Sequence, residues 1–249
     1  MTDVLLERRG GVALITLNVP DRRNSLTLDI SKRLAELVAE CEADENVGAL
    51  VVTGAPPAFC AGADLTALGE AREDGLRAIY AGFLAVADCT LPTIAAVNGA
   101  AVGAGLNLAL ACDVRLVGPK ARFDARFLQL GIHPGGGMTW MLQRLVGPQT
   151  ALAMTLFQHV VDADEAVRTG LALEKADDVV ERAVELAEPS AKAPRELVLS
   201  TKRTLRTTAA YDRHADAIET ELVAQLASMD TPAFAELLKA MRERISRQA

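Results

Sequence analysis

Two stretches of small residues constrain the fold of this chain most, because each follows an apolar run typical of a buried strand. The run at 49–53 precedes a turn of alanine and glycine at 58–65, and the run at 93–97 precedes a second such turn at 98–105. Helical patterns lie between these runs. Strands that alternate with helices favour βα units and a mostly parallel sheet, wound as a right-handed spiral or an open sheet. We therefore predict an α/β fold.

Apolar spacing predicts the remaining elements. It indicates a hairpin at 4–17, helices at 28–41, 70–88 and 104–112, and a strand at 114–117. After residue 131 every pattern is helical, at 138–146, 148–157, 162–169, 177–187, 194–204, 212–227 and 231–246. The last two helices are strongly amphipathic, so we expect them to form an oligomer contact or to pack on their own domain.

Composition narrows the classes of partner. The net charge of −7 argues against a general binder of nucleic acids or anionic membranes. Half of the residues are hydrophobic, which is enough for a substantial core. Even so, no uninterrupted apolar stretch reaches the roughly 18–20 residues that a membrane span requires. We expect no membrane span and no nucleic-acid partner.

The four cysteines and three histidines are scattered, and no CxxC pair occurs. This spacing does not suit a zinc site, so we predict no metal. Reduced thiols and a cytoplasmic location are the simplest interpretation. Cys60 and Cys112, which flank the small-residue turns, are interpreted as small core residues rather than nucleophiles.

The turns expose main chain because their side chains are so small. Two such turns brought together make an oxyanion hole, in which N–H groups hold a developing enolate or tetrahedral oxygen. A structural alternative is that the glycines only permit tight strand-to-helix connections. The order of five motifs along the chain favours the oxyanion hole over this structural alternative.

Five motifs in series resemble the enoyl-CoA hydratase/isomerase (crotonase) superfamily across essentially the whole chain. They are RNSL at 23–26, FCAGADL at 59–65, AVNGAAVGAG at 96–105, ACD at 111–113 and LGIHPGGG at 130–137. The resemblance implies a spiral of ββα units at 1–190, which carries the thioester site, and a helical trimerisation region at 191–249. It also implies a coenzyme A thioester as ligand, no tightly bound cofactor, and a homotrimer or a hexamer built as a dimer of trimers.

The resemblance also implies the binding residues. The oxyanion donors of the family match the backbone N–H groups of Ala61 and Ala104, the latter at the start of a helix. Coenzyme contacts fall on two segments, namely Arg22, Arg23, Ser25 and Leu26, and then Ala63, Asp64 and Leu65. The arginines have a surface-charge alternative, and Asp64 has a turn-forming alternative.

Basic residues on the last helix of a neighbouring subunit reach the coenzyme phosphates in this family. Arg242 and Arg244 occupy about that place in the sequence. Met241 stands where an aromatic residue is common, so the chain departs from the family pattern beside this contact.

The chain departs from the family at the two acid–base positions. Hydratases of the family use two glutamates, whereas Asn107 and Phe127 occupy those positions here. An asparagine holds water but has no titratable proton near neutrality, and a phenylalanine does neither. We expect both side chains to line the acyl pocket instead.

A displaced base is the main alternative. His133 lies in the 131–134 loop, and histidine is the residue type that most often acts as a general base, so it is the first candidate. Its structural alternative is a loop histidine bonded to backbone. Asp124 is a weaker candidate, since strand alternation turns it away from the face of Phe127.

Three functions follow from these residues. The first is a fatty acyl-CoA or enoyl-CoA binder in lipid metabolism that keeps the oxyanion hole and lacks normal hydratase activity. The second is an active enoyl-CoA hydratase or isomerase, a lyase-type enzyme, with a displaced base. The third is a scaffold whose exposed helices bind a protein partner, with the ligand as regulator.

Overall fold

The computed structural model describes residues 3–70 and 72–248, without the side chains of Ala67, Glu70 and Gln248. The chain divides into two compact units, residues 1–191 and 192–249. The assignment of the second unit to oligomerisation stays a prediction.

The strands and helices alternate through the first unit. The strands are β1 (Val4–Arg9), β2 (Val12–Leu17), β3 (Ala49–Gly54), β4 (Ala58–Cys60), β5 (Thr93–Val97), β6 (Ala100–Val102), β7 (Val114–Val117), β8 (Arg122–Asp124), β9 (Val161–Asp162) and β10 (Glu174–Lys175). The helices are α1 (Leu28–Ala43), α2 (Leu65–Glu70), α3 (Glu73–Asp88), α4 (Ala104–Ala111), α5 (Met138–Leu156), α6 (Ala163–Arg168), α7 (Val179–Lys192), α8 (Arg195–Thr208), α9 (His214–Met229) and α10 (Pro232–Gln248).

Two sheets carry the first unit. The larger has the order β1-β2-β3-β5-β7-β10, with β1 and β2 antiparallel and the other pairs parallel. The smaller has the order β4-β6-β8-β9, with only β8 and β9 antiparallel. The chain passes from the larger sheet to the smaller one along β3 to β4, β5 to β6 and β7 to β8. The predicted α/β fold with a mostly parallel sheet is confirmed.

The core lies on both faces of the larger sheet. On one face Val51, Ile94 and Leu116 pack in a cluster with Val184 and Ala187 of α7. On the other face α1 and α3 lie close together, since a Cβ on Gly82 would be 2.9 Å from the carbonyl oxygen of Ser31. The Ser31 hydroxyl also donates to the carbonyl of Ile79 (3.1 Å). These contacts fix the position of α3, which lines the cavity described below.

The second unit consists of α8, α9 and α10, and its apolar side chains stay exposed. Lys202 is the only described residue of this unit that is buried. Large apolar side chains are exposed on all three helices, including Leu205, Val223 and Ile245. Across the described residues, no helix has the length and apolar character needed to cross a membrane.

One predicted helix is divided in the structure, and one predicted break is present. The segment predicted as one helix at 70–88 forms α2 and α3, and Ala71 between them lies outside the described residues. The predicted break between 146 and 148 is present inside α5, where Gly147 has φ 73° and ψ 169°. The sequence analysis missed the short strands of the smaller sheet, which are only two or three residues long.

Candidate functional site

The two small-residue turns lie against each other. Strands β4 and β6 pair in parallel and join them. A Cβ on Gly62 would lie 2.8 Å from the carbonyl oxygen of Val102 and 3.8 Å from the amide nitrogen of Ala104. A Cβ on Gly105 would overlap the carbonyl oxygen of Cys60. Glycine is therefore needed where the turns touch, and it brings their amides to one place.

The prediction that the Ala61 amide is an oxyanion donor is wrong. The amide of Ala61 donates to the carbonyl of Arg23 (2.9 Å), so its hydrogen already has an acceptor in the protein. The pairing of this turn with the 22–26 loop decides which amides are used. Sequence spacing does not reveal that pairing.

The amide of Ala63 is the one left open on this turn. Leu26 donates to the carbonyl of Gly62 (2.7 Å), and Asp64 donates to the carbonyl of Leu26 (2.8 Å). In such a parallel bridge the residue between these two points its own N–H away from the paired strand. Within the described residues the N–H of Ala63 has no acceptor, and Ala63 lines the cavity.

The second open amide belongs to Ala104, the first residue of α4. Gly103 precedes it with φ 52°, a backbone conformation that glycine adopts without strain. The first N–H groups of a helix have no partner inside the helix. Among the described residues no acceptor meets the Ala104 N–H, which lies at the positive end of the helix dipole.

Asn24 fixes the loop that faces these amides. Its side chain is fully buried, and Nδ2 donates to the carbonyls of Ala55 and Ala58, both at 2.8 Å. Its Oδ1 accepts from the amide of Val19 (3.0 Å). The residue has φ 58°, a left-handed conformation that asparagine tolerates better than most residues. Asn24 thereby ties the 18–26 loop to the turn that carries Ala63.

A cavity of about 720 Å³ opens between these elements. Its walls come from both turns, from α3 and from the segment at 125–135. The lining residues include Arg22, Ser25, Ala61, Ala63, Asp64, Leu65, Ile79, Tyr80, Val102, Ala104, Asn107, Ala125, Arg126, Phe127, Leu130, Ile132 and His133.

Comparison with known proteins identifies the family. The family model described as enoyl-CoA hydratase/isomerase matches residues 7–247. The chain belongs to the enoyl-CoA hydratase/isomerase family. This family member is 56% identical over 250 residues to “Probable enoyl-CoA hydratase EchA14” of Mycobacterium tuberculosis, covering 97% of this chain and 98% of that protein. It is 38% identical over 176 residues to the “Short-chain-enoyl-CoA hydratase” of Clostridium acetobutylicum, covering 69% of this chain and 67% of that protein.

Solved structures agree with this assignment. The crystal structure of enoyl-CoA hydratase from Bacillus anthracis superposes with a TM-score of 0.91 at 29% identity, covering 98% of this chain and 97% of that chain. An enoyl-CoA hydratase subunit from Geobacillus kaustophilus superposes with a TM-score of 0.89 at 27% identity, covering 98% and 96%. The family predicted from the motifs is confirmed.

The predicted coenzyme contacts of this family member divide into two groups. Five of the seven line the cavity, namely Arg22, Ser25, Ala63, Asp64 and Leu65. Arg23 is exposed and Leu26 is fully buried, and neither lines the cavity. Leu26 contributes through its backbone bridge to Ala63 instead of a ligand contact.

Asn107 lines the cavity almost without solvent exposure, at 1%. Its Nδ2 donates to the carbonyl of Gly135 (2.9 Å), and its Oδ1 has no partner among the described residues. The amide therefore braces the glycine loop at 135–137 and leaves one acceptor open. It supplies no titratable proton.

Phe127 is half-buried at the start of a 3-10 turn, Phe127–Leu130, and lines the same cavity. Among the described residues Asp64 is the only acid on the cavity wall. Its Oδ2 lies 3.9 Å from Nη1 of Arg22, on the wall formed by the 22–26 loop. The described part of the cavity wall thus holds a single carboxylate, and that carboxylate faces an arginine.

His133 lines the cavity with an exposed side chain. Its Nδ1 lies 2.7 Å from the carbonyl oxygen of Pro134. Since a carbonyl only accepts hydrogen bonds, this contact assigns the proton of the neutral ring to Nδ1 and the lone pair to Nε2. His133 therefore combines the predicted backbone bond with an Nε2 that has no partner among the described residues.

Several cavity residues were missed by sequence reasoning, and Tyr80 and Arg126 are the two that bear most on the chemistry of the site. Tyr80 on α3 packs its hydroxyl against Gly135, and its ring lies 5.4 Å from that of Phe83. Arg126 has φ 60° and binds Asp124, whose side chain is buried. Asp124 itself does not line the cavity. No motif marks either residue, since α3 has no diagnostic pattern and Arg126 depends on an unusual backbone conformation.

Burial makes the thiol of Cys60, beside the first turn, unreactive. Cys60 has no solvent exposure, and desolvation of the charged form raises the pKa of its thiol to about 12. It is therefore protonated near neutral pH, and a nucleophilic role is not supported.

Arg242 and Arg244 lie exposed on α10, and their contact with the coenzyme stays a prediction.

Proposed function

We propose that this protein binds fatty acyl-coenzyme A thioesters through two main-chain amides and has little hydratase activity. The observation that carries this proposal is a cavity with open amides at Ala63 and Ala104 and, among the described lining residues, a single carboxylate, Asp64. Family membership supports the thioester as ligand, since relatives are named as enoyl-CoA hydratases.

The thioester carbonyl oxygen is the group that the amides of Ala63 and Ala104 would bind. Two N–H donors and a helix N-terminus favour negative charge on that oxygen, as in an enolate. At the other end of the ligand, Arg22 would pair with phosphate, for which a guanidinium is well suited. Asp64 moderates the local charge at that end.

Low hydratase activity follows from the missing acid and base. By resemblance to the family, the two glutamates are replaced by Asn107 and Phe127, both of which line the cavity. Each acid–base role contributes about 10²–10⁴ in rate. The residual effect of an oxyanion hole still exceeds the reaction in solution, so slow turnover is compatible with the proposal.

Isothermal titration with a long-chain saturated acyl-CoA tests the proposed binding. We expect one saturable site per chain. Free coenzyme A serves as the control that separates binding of the nucleotide from binding of the acyl thioester. No heat of binding at millimolar ligand would contradict the proposal.

An active hydratase or isomerase with His133 as base is the second candidate. The open Nε2 of His133 on the cavity wall favours it, as do the names of the relatives. Loss of enoyl absorbance from crotonyl-CoA measures the reaction directly. Fast turnover that disappears in His133→Ala, but not in the surface variant His159→Ala, would replace the first candidate with the second.

We also propose that the protein acts as a homotrimer or as a dimer of trimers in the cytoplasm. The exposed apolar side chains of α8, α9 and α10 support an assembly that covers them, because such surfaces favour association. Another protein of lipid metabolism as the partner is the alternative. Light scattering distinguishes the two, since only self-association gives a multiple of the chain mass without added protein.

A further inference from the structure

Two arginines line the cavity, and they occupy different parts of its wall. Arg22 belongs to the 3-10 turn Pro20–Arg22 and faces Asp64. Arg126 belongs to the wall at 125–135, beside the turn that carries the Ala104 amide. The proposed pairing with a coenzyme phosphate explains why Arg22 lines the cavity, but it does not explain Arg126.

The position of Arg126 follows from the smaller sheet. Asp124 pairs with Val102 in the ladder of β6 and β8, and its carbonyl accepts from the amide of Gly103 (2.9 Å). Arg126 comes two residues later, between Ala125 and Phe127, which both line the cavity. The guanidinium is therefore on the acyl side of the site, beside the turn proposed to hold the thioester oxygen.

The hydrogen bonds of Arg126 leave one edge of its guanidinium open. Nε (2.9 Å) and Nη2 both donate to the same oxygen of Asp124, Oδ2. A guanidinium has five N–H donors, so the edge formed by Nη1 and the outer hydrogen of Nη2 has no acceptor among the described residues. The side chain is 45% exposed, so a ligand can reach it.

Neutralisation of Asp124 explains only part of this arrangement. The side chain of Asp124 is 7% exposed and needs a counter-ion, which the inner edge of Arg126 provides. The outer edge has the planar two-donor geometry that matches a carboxylate. Phe127 and Leu130 beside it are apolar and offer no acceptor. In addition, the left-handed backbone at Arg126 (φ 60°) is a strained conformation, of a kind that clusters at functional sites.

We propose that Arg126 binds a second carboxylate at the far end of the acyl chain, so that thioesters of dicarboxylic acids are the preferred ligands. This inference rests on the proposed acyl-coenzyme A binding. Asp124 is a positioning residue in this arrangement, because it holds the inner edge and turns the outer edge to the ligand. The preference comes from a paired ionic hydrogen bond that a methyl-ended acyl chain cannot form.

Matched ligands test the proposal by isothermal titration. Glutaryl-CoA and adipyl-CoA are compared with pentanoyl-CoA and hexanoyl-CoA, which have the same chain lengths but end in a methyl group. A charge-assisted hydrogen-bonded pair corresponds to a preference of about tenfold or more for the dicarboxylic ligands. In Arg126→Gln that preference should vanish while the affinity for pentanoyl-CoA is kept.

Three further variants sharpen the test. Arg122→Gln, at an exposed arginine of β8 that does not line the cavity, should keep the preference. Arg126→Lys should keep only part of it, since an ammonium lacks the planar fork. If Arg126→Gln fails to fold because Asp124 loses its counter-ion, the double variant Asp124→Asn/Arg126→Gln removes both charges and should bind without preference.

The outcomes separate the two proposals. Binding of all four thioesters with equal affinity, unchanged in Arg126→Gln, overturns the inference and leaves acyl-thioester binding intact. Binding of none of the four overturns the inference, and the proposed function falls with it only when the long-chain acyl-CoA also fails to bind. A dicarboxylic preference that persists in Arg126→Gln also overturns the inference.

Discussion

Replacement of Asn24 by alanine should destabilise the protein by about 4 kcal/mol. The change removes the three shorter hydrogen bonds of the Asn24 side chain, with Ala55, Ala58 and Val19, of which the one to Ala58 is fully buried. Each contributes about 1 kcal/mol net. The left-handed backbone at φ 58° costs alanine a further 1–2 kcal/mol, roughly, relative to a residue that tolerates it. The sum is about 4 kcal/mol.

Urea unfolding followed by circular dichroism measures this effect. Asn24→Gly separates its two parts, because glycine loses the hydrogen bonds but tolerates the backbone, so it should recover about 1 kcal/mol. Asn46→Ala is the matched control, since Asn46 is exposed and its side chain bonds to the exposed chain segment at Asp44. This variant should stay within about 0.5 kcal/mol of wild type. An Asn24→Ala protein within about 1 kcal/mol of wild type would refute this reasoning.

Three other predictions concern the site and the assembly. Ala104→Pro should weaken thioester binding about fivefold, because it removes one of the two amides. Leu28→Pro, a substitution at the first position of α1, should leave the affinity unchanged. Equal effects of the two variants on the affinity measured by calorimetry would contradict the role of the amide. Burial raises the pKa of Cys60 to about 12, so its thiol should not react with iodoacetamide at pH 8 unless the protein is unfolded. Mass spectrometry that detects a label on Cys60 of the folded protein would contradict this burial. Val223→Glu, at a side chain 71% exposed on α9, should lower the assembly mass measured by light scattering, and an unchanged mass would argue that this face is not a subunit contact.

The sequence predicts the architecture well because strands and helices have their own periodicities. The apolar runs at 49–53 and 93–97 became β3 and β5, each followed by the expected small-residue turn. The short strands of the smaller sheet were missed, since two or three residues contain no full alternation. Their pairing depends on the turns and on contacts between distant parts of the chain.

The site was predicted less completely than the fold. The two turns were found, but the donor on the first turn was placed at Ala61 instead of Ala63. That error has a physical cause: a regular extended chain would point the amides of Ala61 and Ala63 to the same side, but Gly62 between them has φ 105°. The 22–26 loop therefore takes up the N–H of Ala61 and leaves that of Ala63 open. Arg126 and Tyr80 were missed because their place on the cavity wall is set by tertiary contacts, not by a local pattern.

A single-turnover experiment tests the central claim most directly. The protein, in excess over 2-hexenoyl-CoA, is mixed with the ligand, and the enoyl absorbance is followed while calorimetry on the same preparation reports binding. Our account predicts saturable binding with an absorbance that persists far longer than mixing, because Asn107 and Phe127 provide no acid or base. Complete loss of the absorbance within seconds would show a working acid–base pair in the cavity and would contradict the account.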